Sequence, residues 1–361
     1  MTKKRVIKFC VLIIIMLLIF CFLSVLLVRT TTSTELHVRN FFKEPENSLD
    51  IALIGSSELY ADYSPPLAYD KYGYTGYNLC YEGAPANMYI PMLKLYLSRQ
   101  KPKLVVIEVN GYFYSEEYCH RDANYRRLID NMPLSKQRYD FINELIDKDE
   151  RLSYYVPLIK HHSNWQNPHY QLERLQRIID MDNEEFSHMK SFGTRTAINL
   201  IDPKVSKRQK SRVNDYTMKC LDEMIAFCKE QGLENVLFMR APHKRGAVDE
   251  SIERINKTVT DAGYDFVDFS KMNKETGIDP ETDFYNPDHL NVFGNEKFTD
   301  YLGNYITTHY SFPTEHSEKV DEQWKECADF TKEAFDELKG KTLEGENKVY
   351  NEYKMYKKKA A

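Results

Sequence analysis

The sequence predicts an α/β chain: a parallel sheet covered by helices on both faces, carried behind one membrane-spanning helix. Three observations predict it. Short segments such as Leu104–Val109 ("LVVIEV") and Asn235–Arg240 ("NVLFMR") are almost wholly apolar, as strands buried on both faces must be. Segments with helical spacing of apolar residues lie between them, the alternation of doubly wound folds. Phe9 to Val28 ("FCVLIIIMLLIFCFLSVLLV") is a run of twenty residues without a charge.

That run spans a hydrocarbon core of roughly 30 Å at about 1.5 Å per residue. A cleaved signal peptide has a shorter apolar region and a small-x-small site, and "LLVRTTTST" offers no such pattern. Residues 1–29 are therefore expected to form a basic stub and an uncleaved anchor through residues 9–28. Lys3, Lys4, Arg5 and Lys8 precede the run, so the positive-inside rule puts residues 30–361 on the extracytoplasmic side of the cell membrane.

A polar linker is expected over 30–48, then a sheet domain over 49–312. Its strands are Asp50–Ser57, Tyr77–Cys80, Leu104–Val109, Asn235–Arg240 and Asp265–Phe269. Its helices are Met88–Arg99, Asp215–Gln231, Asp249–Ala262 and one from about Asn295. The pattern breaks at about 112–214, rich in Tyr, His, Asn and charge, which reads as a mostly helical insertion. Residues 313–361 form a charged tail in which Trp324, Phe330 and Phe335 suit one helix face.

The chain has 49 basic and 54 acidic residues; without the four at the N-terminus, 45 basic side chains face 54 acidic ones, a net −9. That balance excludes a phosphate-binding nucleic-acid surface. Cys10 and Cys21 lie in the anchor. The other five cysteines are scattered, with neither zinc spacing nor a disulfide framework. His161, His162 and His169 cluster in "KHHSNWQNPH" without a strongly placed carboxylate or cysteine, which favours a loop or a contact surface over a metal site. There is no P-loop and no G-x-G-x-x-G, so neither nucleotide nor other cofactor is expected.

The chemistry concentrates in two places. The first strand ends in Gly55-Ser56-Ser57, at the carboxyl edge where such sheets bind ligands. A serine needs a base to take its proton, and His289 in "FYNPDHLN", before the last helix, has a comparable setting. Gly-Ser-Ser alone is also a turn and cap signal; the joint placement of both motifs favours catalysis.

"LIGSSELYADYSP", "YNLCYEGAP", "KPKLVVIEVN" and "NPDHLN" occur in the order of the blocks of SGNH (GDSL-like) hydrolases, which the chain resembles over residues 50–110 and 215–310. The likeness is closer to the membrane-anchored branch with the DltD proteins of teichoic-acid D-alanylation and the polysaccharide O-acetylation proteins that work beside a membrane-bound O-acyltransferase (MBOAT). The resemblance implies a flavodoxin-like three-layer fold, with Ser57 as nucleophile, His289 as base, and Gly83 and Asn110 as oxyanion donors. The family's acid stands three residues before the histidine, and here that position is Asn286. Asp283, Asp288 or a backbone carbonyl are the possible substitutes.

The expected function is transfer of an acyl group through Ser57 onto a cell-surface or secreted polysaccharide, with an MBOAT partner; acetyl is the expected group, with D-alanyl left open. Tyr114, Tyr118, Tyr125 and Trp165 could stack on sugars there, or simply fill a core. The alternatives are a carbohydrate esterase using the same residues and an inactive glycan-binding scaffold, for which Asn286 is the argument.

Overall fold

The computed structural model describes residues 3–199, 212–244 and 247–355. Residues 200–211, expected within the insertion, and the last six of the tail lie outside the described residues. The chain divides into two compact units, one of Thr32–Tyr125 with Phe186–Ala361, the other of Met1–Thr31 with Arg126–Glu185.

The larger unit holds the sheet. Its strands are β1 (Ile51–Gly55), β2 (Gly76–Cys80), β3 (Leu104–Glu108), β4 (Gly193–Arg195), β5 (Val236–Arg240) and β6 (Asp265–Asp268). Five are parallel, in the order β2-β1-β3-β5-β6. Ile51 and Leu53 join Leu104, Val106, Leu237 and Met239 in one core with Phe298, Leu302 and Ile306 of the helix Val292–His309. The alternate residues Ala52, Ile54, Val105 and Ile107 are buried too, which is why these strands read as unbroken apolar runs. Burying one such aliphatic side chain contributes about 1.5–3 kcal/mol. The chain order reverses between β1 and β3, and sheets of this topology bind ligands beyond the carboxyl ends of the strands at that point.

Two short pairings complete the unit. β7 (Phe284–Asn286) and β8 (His289–Leu290) form an antiparallel hairpin in which Asn286 faces His289. β4 pairs with β9 (Val349–Asn351), so the tail returns to this unit. The tail's helix runs Glu318–Leu343 and buries Trp324, Phe330 and Phe335. The stretch expected as a linker instead contains a helix, Thr32–Phe41, with Leu36, Val38 and Phe41 buried. Phe41 packs 5.0 Å, centroid to centroid, from Tyr96 and 5.4 Å from Tyr77. This apolar contact outweighs the polar start of the segment. A buried ion pair, Lys190 to Glu44 at 2.9 Å, lies in the same unit.

The smaller unit is helical and narrower than the expected insertion; residues 112–125 and 186–199 belong with the sheet. Its buried centre is Asp130, 3.3 Å from Arg126, 3.6 Å from Arg138 and 3.0 Å from His161. The N-terminal helix Lys3–Leu26 is long and apolar enough to cross a membrane, with a mean hydropathy of 3.3 in its most apolar window and no residue of that window buried. Arg174 donates to the carbonyls of Val25 and Leu26, and Asn164 to that of Leu27 at 2.8 Å. These donors satisfy the carbonyls that a helix end leaves open.

Candidate active site

β1 stops at Gly55, two residues short of the expected end, and Ser57 opens the helix Ser57–Asp62. A Cβ on Gly55 would lie 2.8 Å from Glu108 Cβ, so the glycine is what lets β1 pass the end of β3. Ser56 is fully buried and points to the carboxylates below; Ser57 is the serine whose hydroxyl meets a base.

Ser57 Oγ lies 2.9 Å from His289 Nε2. The hairpin supplies the rest. Asn286-Pro287-Asp288-His289 is a tight turn with proline at its second position, and the Asp288 N–H donates to Asn286 Oδ1 at 2.9 Å. That same oxygen lies 3.1 Å from His289 Nδ1. Because the backbone N–H fixes Asn286 with its oxygen inward, Nδ1 carries the ring proton and Nε2 presents its lone pair to Ser57. In a serine-protease triad, Asp to Asn costs about 10⁴ in turnover because the wrong tautomer results. Here the Asn286 oxygen fits the productive tautomer, and Asn286 itself brings no negative charge to the ring.

The Nδ1 partner is thus Asn286. Asp283 is occupied elsewhere: it accepts from Lys297 Nζ at 2.7 Å and from the Asp279 N–H at 2.8 Å. Asp288 holds Oδ1 3.3 Å from His243 Nε2. The Leu290 N–H donates to Asp62 at 2.9 Å and Asn295 Nδ2 to the Ala61 carbonyl at 2.6 Å, tying the hairpin and the last helix to the nucleophile helix.

Two carboxylates in the site did not stand out in the sequence. Glu58 and Glu108 are both buried, and the Ser56 hydroxyl lies between them, in contact with Glu58 Oε2 and 3.1 Å from Glu108 Oε2. Glu58 Oε2 is also 3.3 Å from Ser57 Oγ. Burial, then the neighbouring Glu58 carboxylate, holds Glu108 well above the usual carboxylate range. Burial raises Glu58 as well, against the hydrogen bond from Ser56. Two buried carboxylates that meet one hydroxyl oppose each other's ionisation. Arg240, at the end of β5, is buried with Nη1 2.8 Å from Ser270 Oγ and supplies positive charge to this region.

Asn110 joins the same network. Its backbone N–H donates to Glu108 Oε1 at 2.7 Å and its Nδ2 to Glu58 Oε1 at 2.5 Å, which commits one of the two amide protons. Gly83 has φ +64°, the left-handed conformation glycine tolerates, and its carbonyl accepts from Tyr118 OH at 3.0 Å. Tyr118 stacks on Tyr114, their centroids 4.5 Å apart. Burial and the charge of Glu58 push the Tyr114 hydroxyl up. Tyr125 accepts from Asn87 Nδ2 at 3.0 Å, and Trp165 belongs to the helical unit.

The clustered histidines do not converge. His161 pairs with Asp130, His162 Nδ1 with the Ile159 carbonyl at 2.9 Å, and His169 lies 3.6 Å from Glu173. Among the described residues no three His, Cys, Asp or Glu side chains meet as a metal site would require. The signal for Glu108 was in the sequence: a carboxylate inside "LVVIEV" must be paired or protonated if that strand is buried. Glu58 had no signal beyond its place beside Ser57. Comparison with protein-family models and with curated proteins gives no match for this chain.

Proposed function

We propose that the protein is a membrane-anchored acyltransferase of the SGNH-like type, facing away from the cytoplasm, which passes an acyl group through Ser57 to a polysaccharide hydroxyl. The observation that carries this reading is the array Ser57–His289–Asn286 with the base lone pair on the serine. Ser57 Oγ attacks the acyl carbonyl carbon as its proton moves to His289 Nε2. The donor's oxygen leaves with that proton, and an ester remains on Ser57. A sugar hydroxyl then attacks the ester, giving its proton to His289, which returns it to Ser57 Oγ.

The apolar helix Lys3–Leu26 supports an anchored protein, and the four basic residues before the run Phe9–Val28 support the outward orientation. The sequence resemblance favours acetyl as the group, a cell-surface or secreted polysaccharide as acceptor and an MBOAT protein as the source. Water in place of the sugar would make the same site an esterase. One feature favours a non-catalytic scaffold instead: Asn286 gives the imidazolium no opposing charge.

The test is labelling of the detergent-solubilised full chain with a fluorophosphonate, beside Ser57→Ala and His289→Ala. Labelling that depends on both residues is the expected result. A folded wild-type protein that stays unlabelled, with surface-polymer acylation intact in a Ser57→Ala, His289→Ala strain, overturns the reading in favour of the scaffold. Released acetate outpacing transfer to an added oligosaccharide would make it an esterase.

A further inference from the structure

We infer that Glu58 is the positioning residue of this site, holding the Asn110 amide beside the Ser57 hydroxyl so that Asn110 can stabilise the oxyanion. The inference rests on the reading of Ser57 as nucleophile. One buried, planar carboxylate divides its oxygens: Oε1 takes Asn110 Nδ2 at 2.5 Å, and Oε2 takes the Ser56 hydroxyl and lies 3.3 Å from Ser57 Oγ. An amide NH2 group is planar, so fixing one proton on Glu58 and the backbone N–H on Glu108 fixes the direction of the other proton.

Glu58 is itself over-determined. It follows Ser57 in the first turn of a helix whose six residues are all buried, and its oxygens are held by Asn110 from the turn after β3 and by Ser56 from the end of β1. A donor held this way does not reorganise as charge develops on the substrate, which is where such donors gain their effect. A free Asn110 would have to give up alternative rotamers and solvent contacts in the transition state. The charged and titratable groups facing Glu58 include Glu108 on β3, Asp288 on the hairpin, Arg240 on β5, Asp62 on its own helix, Cys80 on β2, and Tyr60, Tyr89 and Tyr114. Arg240 is the cation among them, and the burial that raises Glu58 and Glu108 limits the negative charge beside the nucleophile. That matters because an unrestrained pair of anions would oppose oxyanion formation.

The experiment is the second-order rate of fluorophosphonate labelling of the full chain, with pH profiles, for Glu58→Ala, Glu58→Gln, Asn110→Ala and the double variant Glu58→Ala, Asn110→Ala. Removing a preorganised oxyanion donor costs about 10²–10³ in rate. Glu58→Ala and Asn110→Ala should each lose about that much, and the double variant should be no slower than either, because both act through one proton. Glu58→Gln retains an acceptor for Asn110 and should recover most of the rate that Glu58→Ala loses. Losses that multiply in the double variant, or a Glu58→Ala protein that labels at the wild-type rate while Asn110→Ala is slow, overturn the inference and leave Ser57 standing as nucleophile. A folded wild-type protein whose label is independent of Ser57 removes the functional reading and the inference with it. Thermal melts of every variant separate a general loss of fold, which Glu58→Gln would not rescue selectively, from loss of position.

Discussion

Replacing Asn286 by Asp should put a carboxylate against His289 Nδ1. The Asp288 N–H that holds Asn286 Oδ1 at 2.9 Å would hold a carboxylate oxygen equally well, so the hairpin need not move. The new charge would stand 3.1 Å from His289 Nδ1. At an effective dielectric of about 20 that separation corresponds to about 5 kcal/mol of attraction for the imidazolium. The net gain is smaller, because His289 is only half-buried and its surroundings are screened, and because Asp288 and the Glu58–Glu108 pair repel an added carboxylate. We expect about 1.4 kcal/mol to survive, a tenfold faster labelling by fluorophosphonate at alkaline pH. The sign on the acid side is opposite. A stabilised imidazolium holds its proton to higher pH, so the acid limb of the rate profile moves up by about one unit. Labelling rates across pH 5 to 9 for wild type and Asn286→Asp measure both effects. A variant that folds normally yet labels no faster on the plateau, with an unmoved acid limb, would refute the assignment of Asn286 to the position of the triad acid.

Three further outcomes follow from the same structure. His37 is buried and held down to about 4 from 6.5, chiefly by burial, against the Cys80 carbonyl and Glu352. The unfolded chain therefore binds more protons between those values, so stability is full above pH 6.5 and falls toward pH 4; melting temperatures of a folded His37→Gln variant should fall less steeply over that window. Glu108 is shifted the other way, so its burial penalises the folded state increasingly as pH rises above the unfolded value of 4.5. Glu108→Gln should therefore raise the melting temperature more at pH 8 than at pH 4, and a pH-independent difference would contradict the buried-acid account. Gly55→Ala forces a Cβ to within 2.8 Å of Glu108 Cβ; overpacking of this kind costs about 1–3 kcal/mol, and denaturant unfolding should report it together with slower labelling.

Much of the sheet was legible because its strands are buried on both faces. Leu104–Val109 and Asn235–Arg240 could hardly be anything else, and the observed β3 and β5 end within one residue of those bounds. The helix Thr32–Phe41 was not legible: Thr-Ser-Thr-Glu is poor helix sequence, and what buries Leu36, Val38 and Phe41 lies far along the chain. The helical unit is narrower than the expected 112–214 for a related reason. Residues 186–195 lie with the sheet unit, where β4 pairs with β9, some 150 residues later, and Lys190 meets Glu44.

The site divides along the same line. Ser57, His289 and Asn286 were readable as residue types in short motifs, because a turn such as Asn-Pro-Asp-His fixes its own geometry locally. The sequence by itself determined the apolar N-terminal run, the parallel sheet and the Gly-Ser-Ser that follows its first strand. Only the tertiary structure decided which atom of Asn286 faces His289, that Asp283 is held by Lys297, and that Glu58, Ser56, Glu108 and Asn110 form one network. The reason is physical. Backbone periodicity is encoded within a few residues, whereas the meeting of Ser56 with Glu108 depends on the burial and spacing of residues 52 apart along the chain.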